Sequence, residues 1–240
     1  MDPTLAEAYA SLGYVAYGYD WDWEGSEKAF KKAIELNPKD ATSHHWYAEY
    51  LALVRRFDEA IAEKEKALEL DPLSPIIRTC YAYPYLLSHR FDEAIDILRK
   101  AIDLEPNFWF SYHWLGHAYF ARHEYEEAIQ AFHKMSSLSG QFQINGPLCA
   151  AYARADRRAE ALKMLRQLDE MKRKQYVSPM EFVLAYIGLN DNDHSLKYLQ
   201  ESYETRDHFM PYIATLPFLD PLRSDPRFQE ILRKMKFPVN

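Results

Sequence analysis

The sequence predicts an all-α protein built from one repeated unit, and three observations carry that reading. Arg56-Phe57-Asp58-Glu59-Ala60-Ile61 recurs as Arg90-Phe91-Asp92-Glu93-Ala94-Ile95 and, less closely, as Glu124-Tyr125-Glu126-Glu127-Ala128-Ile129, each copy 34 residues after the last. A second series keeps step with it: Lys32-Ala33-Ile34-Glu35-Leu36-Asn37-Pro38 returns as Lys66-Ala67-Leu68-Glu69-Leu70-Asp71-Pro72 and Lys100-Ala101-Ile102-Asp103-Leu104-Glu105-Pro106. Self-similarity at such a period marks a repeat architecture, in which each unit buries its apolar face against its neighbours. Glycines number only seven, and most of the thirteen prolines stand beside acidic, asparagine or serine residues at regular intervals, where they punctuate helices rather than form a linker.

Composition sets the outer limits. With 240 residues, 48% hydrophobic and 27% charged, the chain can bury a substantial core. A net charge of −7 argues against a dedicated nucleic-acid binder, which needs a concentrated basic surface. Residues 154–174 are the exception, and they read as a solvated helix face before an electrostatic docking patch. No apolar run approaches the ~20 residues of a membrane-spanning helix, and the N-terminus lacks the basic and apolar regions of a secretory signal. Cys80 and Cys149 are too few for a disulfide scaffold and suit a reducing compartment, so a soluble, cytoplasmic protein with free thiols is expected.

These motifs resemble the tetratricopeptide repeat family, whose 34-residue unit is a pair of antiparallel helices, A and B. Units phase near Ala6, Ala41, Pro75, Trp109, Phe142 and Tyr176, giving an array over residues 1–208 with units at 6–40, 41–74, 75–108, 109–141, 142–175 and 176–208. The eighth position is Gly13, Ala48, Ala82, Gly116, Cys149 and Val183, and the twentieth Ser26, Ala60, Ala94, Ala128, Ala161 and Ser195, small residues that let A and B approach. The eleventh, Ala16, Leu51, Tyr85, Tyr119, Tyr152 and Tyr186, fills the space between them. Acidic residues open the B helices, where they favour the positive end of the helix dipole. The first unit carries one extra residue around Asp20-Trp21-Asp22-Trp23, so its A–B turn must be atypical; Gly140 replaces the closing proline of the fourth, and the fifth starts one residue early.

The resemblance implies a right-handed superhelical α-solenoid of about six helix pairs. Residues 209–240 are expected to cap the exposed end of the sixth pair, with Ser224 as N-cap and Pro226 early in a final helix. Asp2-Pro3 looks like the closing dipeptide of an earlier repeat. Separately, the Asp220 to Phe228 ending, with Tyr176-Val177-Ser178-Pro179 earlier, resembles the C-terminal region of bacterial regulators whose arrays follow a winged-helix, serine/threonine kinase or adenylate cyclase domain.

Chemistry is sparse by comparison. The glycines are too dispersed for a phosphate loop, and there is no Gly-x-Ser-x-Gly elbow, His-Glu-x-x-His helix or Cys-x-x-Cys pair. No catalytic residue, cofactor or metal is therefore expected. His113 and His117, one turn apart on an A helix, would bind zinc if a third ligand approached; His45 shares the repeat position of His113 but lies two units away, and lining or packing is the favoured role.

In the resembled family the A helices line a concave groove. Carrying repeat positions 5, 9 and 12 onto this chain gives Ala10, Tyr14 and Tyr17; His45, Glu49 and Ala52; Thr79, Tyr83 and Leu86; and His113, His117 and Phe120. The implied function is a non-catalytic module that holds a protein or peptide segment in an aromatic, histidine-rich groove. The lysine and asparagine clamp of chaperone-tail binders is absent from those positions. Self-association through exposed repeat ends is the alternative. An open groove carries a consequence: alanine at Tyr83 or Phe120 should leave the thermal transition nearly unchanged.

Overall fold

The computed structural model describes residues 3–140 and 145–238 and contains six antiparallel helix pairs followed by a C-terminal segment, with no strand among the described residues. The pairs are α1 (Pro3–Val15) with α2 (Trp23–Leu36), α3 (Ala41–Leu53) with α4 (Phe57–Leu70), and a broken A helix, α5 (Pro75–Cys80) and α6 (Tyr83–Leu87), with α7 (Phe91–Leu104). They continue as α8 (Trp109–Ala121) with α9 (Tyr125–Ser139), α10 (Asn145–Arg154) with α11 (Arg158–Lys172), and α12 (Pro179–Gly188) with α13 (Asn192–Glu204). Met1, Asp2 and the expected fifth start at Phe142 lie outside the described residues.

One device closes the A helix of pairs two to six. Arg55, His89, His123, Asp156 and Asn190 all adopt the left-handed conformation, at φ 60 to 66°. The next amide then reaches back to the eleventh-position carbonyl, as in Arg56 N to Leu51 O at 2.9 Å and Arg90 N to Tyr85 O at 2.8 Å. This is the Schellman closure of a helix C-terminus, made here without glycine. The extra residue of the first unit is absorbed by a π-helical turn, Ala16–Asp20, ending at Trp21 with φ 56°.

Close A–B approach explains the small eighth and twentieth residues. A Cβ on Gly116 would lie 2.4 Å from the Phe132 ring. Ser26 and Ser195 instead hydrogen-bond the eighth-position carbonyls, Gly13 O at 2.8 Å and Val183 O at 3.3 Å. The break in the third A helix has a local cause. Pro84 has no N–H to offer the Cys80 carbonyl, and its ring crowds that carbonyl, so α5 stops at Cys80.

Beyond α13 the chain does more than cover the sixth pair. Residues 207–222 run through two 3₁₀ turns, Met210–Tyr212 and Pro217–Leu222, before α14 (Pro226–Lys234). The second turn packs on α12 and α13 and also on α8, while the first touches the π turn of the opening pair. The expected Ser224 cap is corrected: Asp225 is the N-cap, its side chain accepting from Arg227 N, with Pro226 as the first helical residue.

The two ends of the array are bridged. Trp21 stacks on Tyr203 with ring centroids 5.2 Å apart, and the Arg206 guanidinium lies 4.5 Å over Trp21 while bonding the Tyr19 carbonyl. Trp23 donates to the Met235 carbonyl at 3.0 Å and packs on Phe237 at 4.5 Å.

Candidate functional site: the occupied concave face

The A helices bring the expected groove residues to one face, but that face is covered. Tyr17, His45, Glu49, Tyr83, Leu86, His113, His117 and Phe120 are each at most 8% exposed; Tyr14, at 43%, is the one of the set left open. The expectation of an open groove is thereby corrected. An aromatic trough of this size is too apolar to leave in water, and residues 207–222 fill it.

Named contacts hold this strap. Phe218 stacks on Phe120 with centroids 4.1 Å apart and ring planes 10° from parallel, and meets the His117 ring edge-on at 4.6 Å. Asp207, itself buried, anchors the start: its carboxylate accepts from Ser178 Oγ at 2.5 Å and from Phe209 N at 2.9 Å. Arg55, one of the left-handed turn residues, donates to Ala214 O at 2.9 Å, and Arg223 donates to Leu216 O at 2.9 Å. The irregular backbone of the strap thus finds partners in two arginines rather than in a ladder.

Under the Phe218 end lies a cavity of about 20 Å³, lined by His113, Trp114, His117, Glu181, Phe209 and Leu216 among others, with room for a single water. His113 Nδ1, His117 Nδ1 and Trp114 Nε1 are buried there without hydrogen-bond partners. Burial holds both imidazoles neutral, pushing His113 down to about 4 and His117 well below its ordinary value. Burial likewise pushes the Glu181 carboxyl up to about 7, against a hydrogen bond from Gly146 N that favours its charged form. The third group facing the two histidines is Glu181, not His45.

His45 belongs instead to a second polar cluster. Lys64, fully buried on α4, places Nζ 2.9 Å from His45 Nδ1 and 3.2 Å from His45 O. His45 Nε2 lies 3.9 Å from Glu49 Oε1 one turn on, and Cys80 stands at the break in the third A helix beside them. Burial lowers Lys64 and raises Glu49, while Tyr17, Tyr83 and Tyr212 surround the group and are pushed well up by the same cause. Lys64 carries a sequence signal that belongs to no catalytic or metal motif. It occupies the repeat position of Phe30, Leu98, Phe132 and Leu199, all fully buried hydrophobes.

Helix pairs closed at a 34-residue interval, with small residues at each A–B crossing, are the architecture of a tetratricopeptide-type array. The chain carries tetratricopeptide repeats: family profiles of that name match residues 29–62, 85–108 and 97–130. Among solved structures it is similar to TTC0263, a thermophilic tetratricopeptide protein of Thermus thermophilus, at 17% identity and TM-score 0.63 over 81% of this chain and 97% of that one. It is also similar to the pilF protein of Pseudomonas aeruginosa, at 19% identity and TM-score 0.58 over 96% and 98%, and to MamA, at 25% identity and TM-score 0.52 over 64% and 90%. No curated protein matches the chain significantly. No helix among the described residues is long and apolar enough to cross a membrane.

Proposed function

We propose that this chain is a non-catalytic interaction module whose concave face receives a short, irregular segment of a partner protein in exchange for its own strap. The observation that carries the reading is the strap itself. The face already holds an irregular stretch of polypeptide by one stacked phenylalanine, Phe218, and by the bond from Arg55 to the Ala214 carbonyl. Carbonyl contacts of that kind carry no sequence information, so a foreign segment with an aromatic residue and a proline-bent backbone would meet the same groups. Tyr14, Tyr17, His45, Glu49, Tyr83, Leu86, His113, His117 and Phe120 form the receiving surface. Such a module suits the sensory or scaffolding arm of a larger regulator.

The test uses a fluorescent peptide copying residues 207–222 and the intact chain. Binding to wild type should be weak because the strap competes in cis, tighter to Phe218→Ala, and lost again in Phe120→Ala/Phe218→Ala. A well-folded Phe218→Ala protein that fails to bind the peptide would make the strap a permanent part of the core and end the exchange reading.

A second reading, self-association through the first repeat, has its own observation. Leu12 and Val15 are 59% and 50% exposed, whereas the residues at the same repeat positions, Tyr47 and Tyr50, are buried against Phe30 of the preceding pair. Leu12→Asp should abolish any concentration-dependent growth in particle size; a wild-type particle of constant size across the concentration range counts against this reading.

A further inference from the structure

We propose that His45, Glu49 and Cys80 form a site for one borderline-soft divalent cation of the zinc class. One ligand atom from each, an imidazole nitrogen, a carboxylate oxygen and a thiol sulfur, all lie within 4.8 Å of one another, and all three residues are buried. Bond lengths of about 2.0–2.3 Å in a tetrahedral zinc site put neighbouring ligand atoms about 3.3–3.6 Å apart. The His45 to Glu49 separation, 3.9 Å, is already near that value, and the widest separation, 4.8 Å at most, needs to contract by about 1.2–1.5 Å. Thiolate, imidazole and carboxylate together select zinc or a similar first-row ion over magnesium or calcium, which take oxygen ligands.

Two further features favour a ligand here over a merely satisfied core. The first is Lys64. At this repeat position Phe30, Leu98, Phe132 and Leu199 are buried hydrophobes, whereas Lys64 supplies an amine 2.9 Å from His45 Nδ1. The contact engages Nδ1 and leaves Nε2 on the side of Glu49, 3.9 Å away, the placement in which an outer-shell partner orients a metal-bound histidine. The second is Tyr17, whose hydroxyl is buried beside Glu49 without a hydrogen bond of good geometry.

The charges also balance. A divalent ion with one thiolate and one carboxylate is neutral, as a buried site requires. Binding expels the Cys80 thiol proton and, where Glu49 is protonated, the carboxyl proton, so affinity should rise with pH. The proposal does not require the strap to exchange: its three ligands lie on the second and third A helices, and the strap's Tyr212 packs beside them.

The test is cobalt titration of the tag-free, intact chain, added to the folded protein and, in parallel, during refolding. The expected result is a thiolate-to-cobalt charge-transfer band saturating at one equivalent, displaced by zinc, kept in Cys149→Ser and lost in Cys80→Ser. Zinc at a hundredfold excess over its Kd should also raise Tm by several degrees, roughly the mass-action stabilisation of one bound ion. Absence of the thiolate band in wild type under both regimes, or its loss in Cys149→Ser, overturns the proposal. Because Cys149→Ser leaves the cluster untouched, the assignment survives even if Cys80→Ser does not fold.

Discussion

Replacing Phe120 by alanine separates a filled trough from an open one. Phe120 is 8% exposed and Phe218 is 3% exposed, and their rings stack at 4.1 Å. Truncating a buried phenylalanine removes its transfer free energy and leaves a cavity, together about 3–5 kcal/mol. For a chain of this length 1 kcal/mol moves Tm by about 2–4 °C, so a fall of roughly 6–20 °C is expected. The stack itself is worth about 0.5–1.5 kcal/mol beyond area burial. In a cycle of Phe120→Ala, Phe218→Ala and the double variant, the double should therefore be less destabilised than the sum by about that amount. Urea midpoints followed by far-ultraviolet circular dichroism and by tryptophan fluorescence supply the numbers. A Phe120→Ala cost below about 0.5 kcal/mol would put the ring in solvent; strictly additive single variants would mean that the two rings do not meet.

Other expectations follow from single contacts. Gly116→Ala should cost about 1–3 kcal/mol, because its Cβ would lie 2.4 Å from the fully buried Phe132 ring, which would have to shift; an unchanged urea midpoint would contradict the close crossing. Glu181, with its carboxyl raised to about 7, keeps its proton in the folded state where the unfolded chain has lost it. Its contribution is therefore most favourable below the ordinary glutamate range and declines as pH rises from about 4.5 to 7, by about 1–3 kcal/mol after allowing for partial exposure. Glu181→Gln should flatten that part of the stability profile, and an unaltered slope would refute the assignment. Trp23→Phe leaves the Met235 carbonyl without its donor, a loss of about 1 kcal/mol, and should speed amide exchange in α14 more than in α7; equal protection in both would show that the end-to-end bridge carries no stability.

Much of the repeat was legible because it is local. The 34-residue interval, the small eighth and twentieth residues, and the surplus residue near Asp20 that becomes a π turn all act within one helix pair. Pro84 was visible, but its effect depends on the chain already being helical around Cys80, and the array pattern ran across it. The strap was legible only as composition. Phe209, Met210, Leu216 and Phe218 announce burial, yet their partners Phe120 and His117 lie about a hundred residues earlier, and no periodicity links the two sets. The clue available was an imbalance: an aromatic trough and an apolar tail each need a cover, and each is a cover for the other. The polar cluster had a sharper clue in Lys64, a cation at a position that comparison of repeat with repeat marks as core.

The bridge from Trp21 and Trp23 to Tyr203, Met235 and Phe237 changes what kind of object the array is. An open stack of helix pairs behaves like a line of dominoes: its stability is a sum over neighbours, it frays at whichever end is weaker, and it tolerates a gained or lost unit. Here a seam ties the first pair to the sixth and to the C-terminal segment, although Leu12 and Val15 on α1 stay uncovered. Opening any one pair must also break the seam, so the molecule should melt as a single unit, with the first and sixth pairs no less protected than the third. The number of pairs between the two sides of the seam then becomes a fixed spacing, since one unit inserted or removed there would rotate the two tryptophans away from their partners. Lineages of this protein should accordingly vary in their loops and not in the number of repeats between Trp21 and Tyr203.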